Sequence, residues 1–362
     1  MWFACDCRRP WEVTVKAMIS VQAAHCSNAS GRFAPFPSSH SRCWHQGQRE
    51  MPAEASESWN SASQVYAPFE AFTGQFTRAA AAEIPSLLSD SASSGPLRIM
   101  DVASGTGAST FALCKTLADH CRQKSPKALV VATDFSEAML KTLTEKFTAS
   151  SADPEVMASQ AAEKEGFLEL ATQVADAQDL SAFADGTFDA INCSFGIMFP
   201  KSPEKVAREF WRLLKPGGVA VVTTWHYNNM PAEILVDLAH VFKGRGRFDQ
   251  LPLATATEKF GSEAFMRRLF RGDLEDGSDA SGSPGSPLWR SRDLQAKFIA
   301  GSSYCLPRHM AAMMNKTPLA SDLGHWDEDA VEKHLQDHWT GEDGRIVLQG
   351  TALVLFARKP IS

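Results

Sequence analysis

The sequence predicts a doubly wound α/β domain, in which a mostly parallel sheet is covered by helices on both faces. Two observations lead to this prediction. Apolar runs of strand length alternate with helical patterns between residues 97 and 225, an alternation typical of parallel strands joined by crossover helices. Small, polar and acidic residues also follow several of these runs, at the sheet edge where ligands of such folds bind.

The residues before the first strand divide into two unlike parts. Residues 1–50 carry six basic and three acidic side chains and keep neither helical nor strand periodicity for long, so we expect a disordered extension outside the core. Either an organelle transit peptide for a mitochondrion or plastid or an extension upstream of a start at Met51 explains this composition. Residues 51–362 form the predicted domain, and residues 51–96 supply its N-terminal helices.

The central part of the chain, residues 97–225, gives the clearest alternation. In chain order we expect a strand at 97–102, a helix at 109–120, strands at 128–133 and 168–174 around a helix at 136–148, a strand at 190–193, a helix at 203–214 and a strand at 219–225. Beyond it, residues 226–345 are predicted to form a helical cap for the substrate. An acidic, turn-rich insertion at 271–287 is expected to be flexible. Residues 346–359 read as a final strand.

Composition narrows the possible partners of the 362-residue chain. Its apolar runs are far shorter than the roughly 18 to 20 residues of a membrane-spanning helix, so we expect no transmembrane segment. The formal net charge of −6 disfavours nucleic acid, which attracts clustered Lys and Arg. Eight cysteines without regular spacing indicate reduced thiols in a cytoplasmic protein and no metal site. The sequence leaves a homo-oligomer open.

The stretch Arg98-Ile-Met-Asp-Val-Ala-Ser-Gly-Thr-Gly107 is the most informative one. An apolar strand contains an acidic residue near its end, Asp101, and Gly105 and Gly107 then let the backbone turn tightly and approach a ligand before the next helix. A structural turn or a dinucleotide site are the alternatives. The dinucleotide motif requires a third glycine, and Thr110 occupies that position.

This stretch resembles motif I of the class I S-adenosylmethionine-dependent methyltransferases, and further motifs follow in the expected order. Val130 to Ser136 resembles the second-strand motif, Val174 to Leu180 the third and Phe188 to Phe199 the fourth. The resemblance runs from about Trp59 to Trp225. It implies a Rossmann-like sheet whose last strand is antiparallel.

The resemblance also implies residues that bind S-adenosyl-L-methionine as cofactor. Asp134 would accept hydrogen bonds from both ribose hydroxyls, with Phe135 and Met139 against the adenine. Asp176 would accept from the adenine amino group, and the Ala177 backbone would contact the ring edge. The remaining implied cofactor residues are Ala103, Ser104, Gly105 and Gly107 of the first loop, Asp101 beside the methionine amino group, Ser194 and Phe195 near the transferred methyl, and Tyr66 over the methionine end.

Within this family the fourth and fifth motifs resemble the branch that contains the ubiquinone and menaquinone C-methyltransferases. This implies a small-molecule substrate. Methyltransferases that act on base amino groups bind the exocyclic amine with the sequence Asn/Asp-Pro-Pro-Tyr/Phe. This chain has Asn192-Cys-Ser-Phe195 at that position, which further disfavours nucleic acid as the substrate.

Methyl transfer from a sulfonium is an in-line displacement that requires alignment more than a dedicated base. If a base exists, His226 after the fifth strand is the candidate, and a surface or cap histidine is the alternative. A cofactor-binding but non-catalytic regulatory or assembly protein is the alternative from another class, and a nicotinamide-dependent oxidoreductase is a weaker one.

Overall fold

A computed structural model describes residues 53–63, 65–88, 95–124, 127–244, 258–274, 288–316 and 326–361. The expected extension at residues 1–50 lies outside the described residues. Two helices, α1 (Ala53–Ala62) and α2 (Ala67–Leu87), precede the sheet, as the helical spacing predicts. Pro68 near the start of α2 fits the first turn of a helix, where its missing N–H removes no hydrogen bond.

The remaining elements alternate as expected through most of the chain. In order they are β1 (Leu97–Val102), α3 (Ala108–Lys124), β2 (Ala128–Asp134), α4 (Glu137–Thr148), α5 (Pro154–Lys164), β3 (Leu168–Val174), β4 (Phe188–Ser194), α6 (Pro203–Leu213), β5 (Leu214–Asn229), α7 (Met230–Lys243), α8 (Glu263–Arg271), β6 (Leu294–Cys305), α9 (Pro307–Lys316), α10 (Glu328–His338) and β7 (Ile346–Arg358).

The seven strands form one sheet in the order β3-β2-β1-β4-β5-β7-β6. The first five pair in parallel, and β7 lies antiparallel between β5 and β6. The predicted fold class, with its antiparallel last strand, is therefore confirmed. Because β1 lies inside the sheet and the chain moves outward from it in both directions, the loops after β1 and β4 meet at the switch point of this topology.

Helices cover both faces of the sheet, which explains why the central strands are continuous apolar runs rather than alternating ones. Neighbouring residues of one strand enter opposite cores: Ile99 packs on the side of α3, and Met100 packs with α6 and α7. The four described cysteines, Cys114, Cys121, Cys193 and Cys305, are free and buried, as expected for small apolar groups.

The cap differs from its predicted form, because residues 226–345 are not purely helical. They contain the twelve-residue strand β6, which forms the outer edge of the sheet. Its small and polar run Ala300-Gly-Ser-Ser303 has weak strand propensity, and its pairing with β7 compensates. The helix α5 was also not predicted, although Asp153 caps it by accepting from the N–H groups of Glu155 and Val156.

Two boundaries also moved. Strand β5 continues to Asn229, beyond the expected end at residue 225. The predicted insertion begins too early at 271, because Arg271 is the last residue of α8 and Gly272 caps that helix in the left-handed conformation. Residues 275–287 of the insertion lie outside the described residues. Within the described part of the chain, none of the helices has the length and apolar character needed to cross a bilayer.

Candidate cofactor site

A cleft of about 1050 Å³, counting the solvent at its mouth, lies beyond the carboxyl ends of β1, β2, β3 and β4. This is the expected ligand position for a doubly wound sheet. Eleven of the implied cofactor residues line it together: Tyr66, Ala103, Ser104, Gly105, Asp134, Phe135, Met139, Asp176, Ala177, Ser194 and Phe195. Residues that the sequence analysis did not single out complete the wall: Trp59, Glu70, Thr73, Thr77, Thr106, Ala108, Ser109, Ala175, Gly196, Phe199 and Pro200.

The loop after β1 brings its backbone to the cleft through unusual conformations. Ala103 has a φ of 55°, and Gly107 has a φ of 104°. Gly107 does not line the cleft but is required behind it, because a Cβ there would lie 2.7 Å from the ring of Phe111. A non-glycine residue with positive φ is costly, and such residues cluster at functional sites.

The loop after β4 approaches the first loop closely. Phe195 has a φ of 58°, and its ring stacks on that of Trp225 at a centroid distance of 4.1 Å. A Cβ on Gly196 would overlap the Cβ of Ala103 and would lie 3.1 Å from the Cys193 sulfur. Glycine is therefore required at 196 to bring the two loops together. The sequence pattern of β4 alone does not reveal this requirement, because the neighbouring loop follows a different strand.

Asp134 ends β2 at the wall of the cleft and is almost fully buried. Its Oδ2 accepts from the N–H of Gly105 at 2.9 Å, and its Oδ1 accepts from the N–H of Ser136 at 2.9 Å. Burial raises the pKa of Asp134 to about 6, although these N–H donors oppose the shift. The carboxylate thus ties the first loop to the start of α4 and retains free acceptor positions.

Asp101 lies behind the cleft and does not line it. Its Oδ2 accepts from Ser109 and Thr110, both at 2.7 Å, and its Oδ1 accepts from Asn192 Nδ2 at 2.7 Å. The residue has no exposed surface. Burial raises the pKa of Asp101, against the effect of the three donors. In this structure its carboxylate joins β1, α3 and β4.

Asp176 lies at the cleft with its carboxylate next to an amide side chain. Gln178 Nε2 contacts both Asp176 oxygens at 3.2 and 3.1 Å, and the Gln178 N–H donates to Oδ1 at 2.9 Å. Gln178 Oε1 accepts from the N–H of Ser202 at 2.9 Å. Gln178 therefore links the loop after β3 to the start of α6.

A charged contact that sequence analysis missed connects α2 to the first loop. One oxygen of Glu70 accepts from the Thr106 hydroxyl, and the other accepts from Lys146 Nζ at 2.7 Å. Lys146 also donates to the Thr106 carbonyl at 3.2 Å. Burial raises the pKa of Glu70, whereas Lys146 opposes that rise. Glu70 belongs to no recognisable motif. It stands between apolar residues of α2, so the sequence alone does not single it out.

Aromatic residues and α1 form one rim of the cleft. The Trp59 ring meets those of Phe199 at 5.0 Å and Tyr66 at 6.1 Å in edge-on contacts. Asn60 Oδ1 accepts from the Ser136 hydroxyl at 2.6 Å, which holds α1 against the start of α4. Phe69, by contrast, is buried in the core.

His226 stands apart from this arrangement. It does not line the cleft, and its ring contacts Phe298 of β6 at a centroid distance of 5.2 Å. Burial lowers its pKa. Among the described residues no histidine lines the cleft.

The residues fit the cofactor that the motifs imply. The Ser104 hydroxyl lines the cleft and is buried without a hydrogen-bond partner within the described residues, which is costly unless a ligand supplies one. The aromatic walls suit a purine, and Asp134 suits a pair of hydroxyl donors. S-adenosylmethionine carries a purine and a pair of ribose hydroxyls together with an activated methyl group.

Comparisons with known proteins agree with the motifs. Residues 100–222 match a family model described as a methyltransferase domain. A demethylmenaquinone methyltransferase from Thermus thermophilus is 36% identical over 127 residues, 35% of this chain and 46% of that protein. One from Clavibacter sepedonicus is 35% identical over 125 residues, 34% of this chain and 40% of that protein. The YcgJ protein of Bacillus subtilis has a solved structure with 15% identity and a TM-score of 0.40, over 74% of this chain and 93% of that one.

The matched residues 100–222 are therefore similar to a methyltransferase domain, the class that the motifs predict. The chain spans less than half the length of the curated relatives described here. The family model covers residues 100–222, and the cap at residues 226–345 lies outside that range.

Proposed function

We propose that the protein is an S-adenosylmethionine-dependent methyltransferase that acts on a small molecule by in-line transfer. The single observation that carries this proposal is the cleft at the switch point of the sheet. There the loop from Ala103 to Thr106, Asp134 and Asp176 lie around one cavity. The named activity of the demethylmenaquinone relatives supports a small organic acceptor.

The cofactor supplies the activated methyl group when bound. The chain's own residues would then bind, orient and exclude water. We propose that Asp134 accepts from the ribose hydroxyls while Phe135 and Met139 enclose the adenine, and that Asp176 and Ala177 contact its edge. Tyr66, Ser104, Ser194 and Phe195 line the same cleft and are proposed to surround the methionine and methyl end.

The position of His226 supports transfer without a histidine base. Because its ring lies at β6 rather than at the cleft, we do not include it among the reacting groups. Burial also raises the pKa of the Tyr66 hydroxyl, with Glu70 and Asp134 adding to the effect, so Tyr66 stays protonated and does not act as a base near neutrality. The protein's remaining contribution to methyl transfer is then to align an acceptor molecule that ionises readily.

Binding of S-adenosylmethionine, measured by calorimetry, tests the proposal. We expect the wild type to bind and Asp134→Ala to lose affinity at least ten-fold, because the variant loses the ribose acceptor and the contact to Gly105. Asp185→Ala, an exposed carboxylate paired with Arg212, is the matched control and should bind normally. A wild type that does not bind would refute the proposal.

A screen of metabolite extracts for methylated products separates an enzyme from a binding protein. We expect a methylated small molecule to form with the wild type and not with Asp134→Ala. Tight cofactor binding without any product would favour the regulatory or assembly alternative. Binding of NAD in place of S-adenosylmethionine would favour the oxidoreductase.

A further inference from the structure

Within the described residues, three carboxylates line the cleft: Glu70, Asp134 and Asp176. The last two follow β2 and β3 and are the ones proposed to contact the adenosine half of the cofactor. The methionine half carries a positively charged amino group, which a buried site must pair with a negative group. Asp101, expected from the motif to provide it, does not line the cleft.

The hydrogen bonds of Asp101 and Glu70 differ in what they leave open. A carboxylate has about four acceptor positions. Asp101 uses three of them on Ser109, Thr110 and Asn192, and it has no exposed surface through which a ligand could reach the fourth. Glu70 uses two, one on each oxygen, and part of its side chain is exposed at the cleft.

Glu70 also stands at a suitable place along the first loop. Gly105 donates to Asp134, and the next residue, Thr106, donates to Glu70. The two carboxylates therefore hold adjacent residues of the loop. With Asp134 assigned to the ribose, a ligand that follows this loop would carry its other end toward Glu70.

We propose that Glu70 is the carboxylate that binds the amino group of the methionine half of S-adenosylmethionine, an inference that rests on the function proposed above. Lys146 positions the Glu70 side chain from α4 and favours its ionised form. Asp101 is then a buried structural group that holds the strand ends together, and the charge at the methionine end comes from the helix before the sheet.

Two ligands that differ in their amino-acid part test this assignment. S-adenosylhomocysteine carries the amino group, whereas 5′-methylthioadenosine keeps the adenosine and lacks the amino-acid part. In calorimetry with Glu70→Gln we expect S-adenosylhomocysteine to bind at least ten-fold more weakly than with the wild type, about 1.4 kcal/mol. Methylthioadenosine should bind both proteins equally, because it does not reach Glu70.

Glu83→Gln is the matched control, since Glu83 lies on the same helix and pairs with Lys297 at 2.5 Å away from the cleft. It should change neither affinity. Equal affinity of wild type and Glu70→Gln for S-adenosylhomocysteine overturns the assignment, and so does an equal loss for both ligands, which would mark Glu70 as a structural strut. In either case a wild type that binds both ligands leaves the proposed function standing. A wild type that binds neither refutes the proposed function itself.

Discussion

Single residues at the cleft hold the surrounding backbone and also face the cavity. Asp134 accepts two backbone N–H groups and still faces the cavity. The same burial that makes its hydrogen bonds strong raises its pKa to about 6. Its charge therefore depends on pH in a range that experiments reach easily.

We expect the affinity for S-adenosylmethionine to rise with pH through about 6 and then to level off. Ribose hydroxyls donate to the ionised form of Asp134, so binding lowers its pKa and releases a proton near pH 6. Calorimetry between about pH 5 and pH 8, in two buffers of different ionisation enthalpy, measures both effects. Asp134→Asn should remove the pH dependence, and a wild type with constant affinity over this range would contradict the prediction.

In the ligand-free protein the same carboxyl has the opposite consequence for stability. Its folded-state pKa is raised above the ordinary value of 3.8, so its contribution to folding is fully present below that value. The contribution is lost as the pH rises through about 6. As the pH rises through about 6, ionisation of Asp134 therefore strengthens ligand binding and weakens the stability of the empty protein.

At this scale the sequence predicted most of the cleft residues that follow strands and missed several on the helices before the sheet. Asp134 and Phe135 were singled out because Val130 to Ser136 resembles the second-strand motif, and they lie at the sheet edge where ligands of such folds bind. Glu70 and Asn60 stand on helices before the sheet, where their neighbours in space, Lys146 and Ser136, are 76 positions away. The sequence could not show that Asp101 lies behind the cleft, because its three hydrogen-bond donors come together only in the folded chain.

Among the elements, α2 connects the cleft to the far edge of the sheet. It supplies Tyr66, as its N-cap, and Glu70 at the cleft. One turn further along, Gln75 Oε1 accepts from the N–H of Ser302 on β6 at 3.0 Å. Gly301 of β6 leaves room for this contact, because a Cβ there would overlap Gln75 and lie 3.0 Å from the Phe76 ring.

We expect Gly301→Val to push α2 away from β6 and thereby weaken both stability and cofactor binding. Overpacking of this kind costs about 1 to 3 kcal/mol of unfolding free energy, which urea denaturation measures. The shift should also lower the affinity for S-adenosylhomocysteine, since Tyr66 and Glu70 move with the helix. Ser302→Ala keeps the backbone donor and should have little effect. An unchanged affinity in a destabilised Gly301→Val would show that the two ends of α2 are independent.

The strand that was not predicted, β6, shows where sequence patterns lose information. Edge strands bury less surface than central ones, so β6 alternates between exposed and half-buried positions instead of forming an apolar run like β1 or β2. The run Ala300-Gly-Ser-Ser303 reads as a loop when seen alone. Only pairing with β7, about fifty residues later, makes it a strand.

On the scale of the whole molecule, every described residue that lines the cleft stands at position 59 or beyond. The negative charge of the chain also belongs to this part, because residues 1–50 carry a net +3 while the full chain carries −6. The acidic charge of residues 51–362 agrees with a small-molecule acceptor better than with a polyanion.

We expect a variant that lacks residues 1–50 to bind S-adenosylmethionine within about two-fold of the full chain and to unfold at the same denaturant midpoint. The physical reason is that the described residues that line the cleft and form the cores on the two faces of the sheet all come later in the chain. Calorimetry and urea denaturation of the two proteins check this. A marked loss of affinity or stability would mean that the first fifty residues take part in the domain.

The position of β7 between β5 and β6 sets an order for assembly during synthesis. Until residues 346–358 leave the ribosome, β5 exposes an unpaired edge and β6 has no sheet to join. The parallel half of the sheet can form earlier, but the helix that supplies Glu70 gains its support from β6 only at the end. A nascent chain of this protein therefore carries an open β5 edge from the synthesis of residue 229 until β7 is complete, and such edges are where newly made chains aggregate.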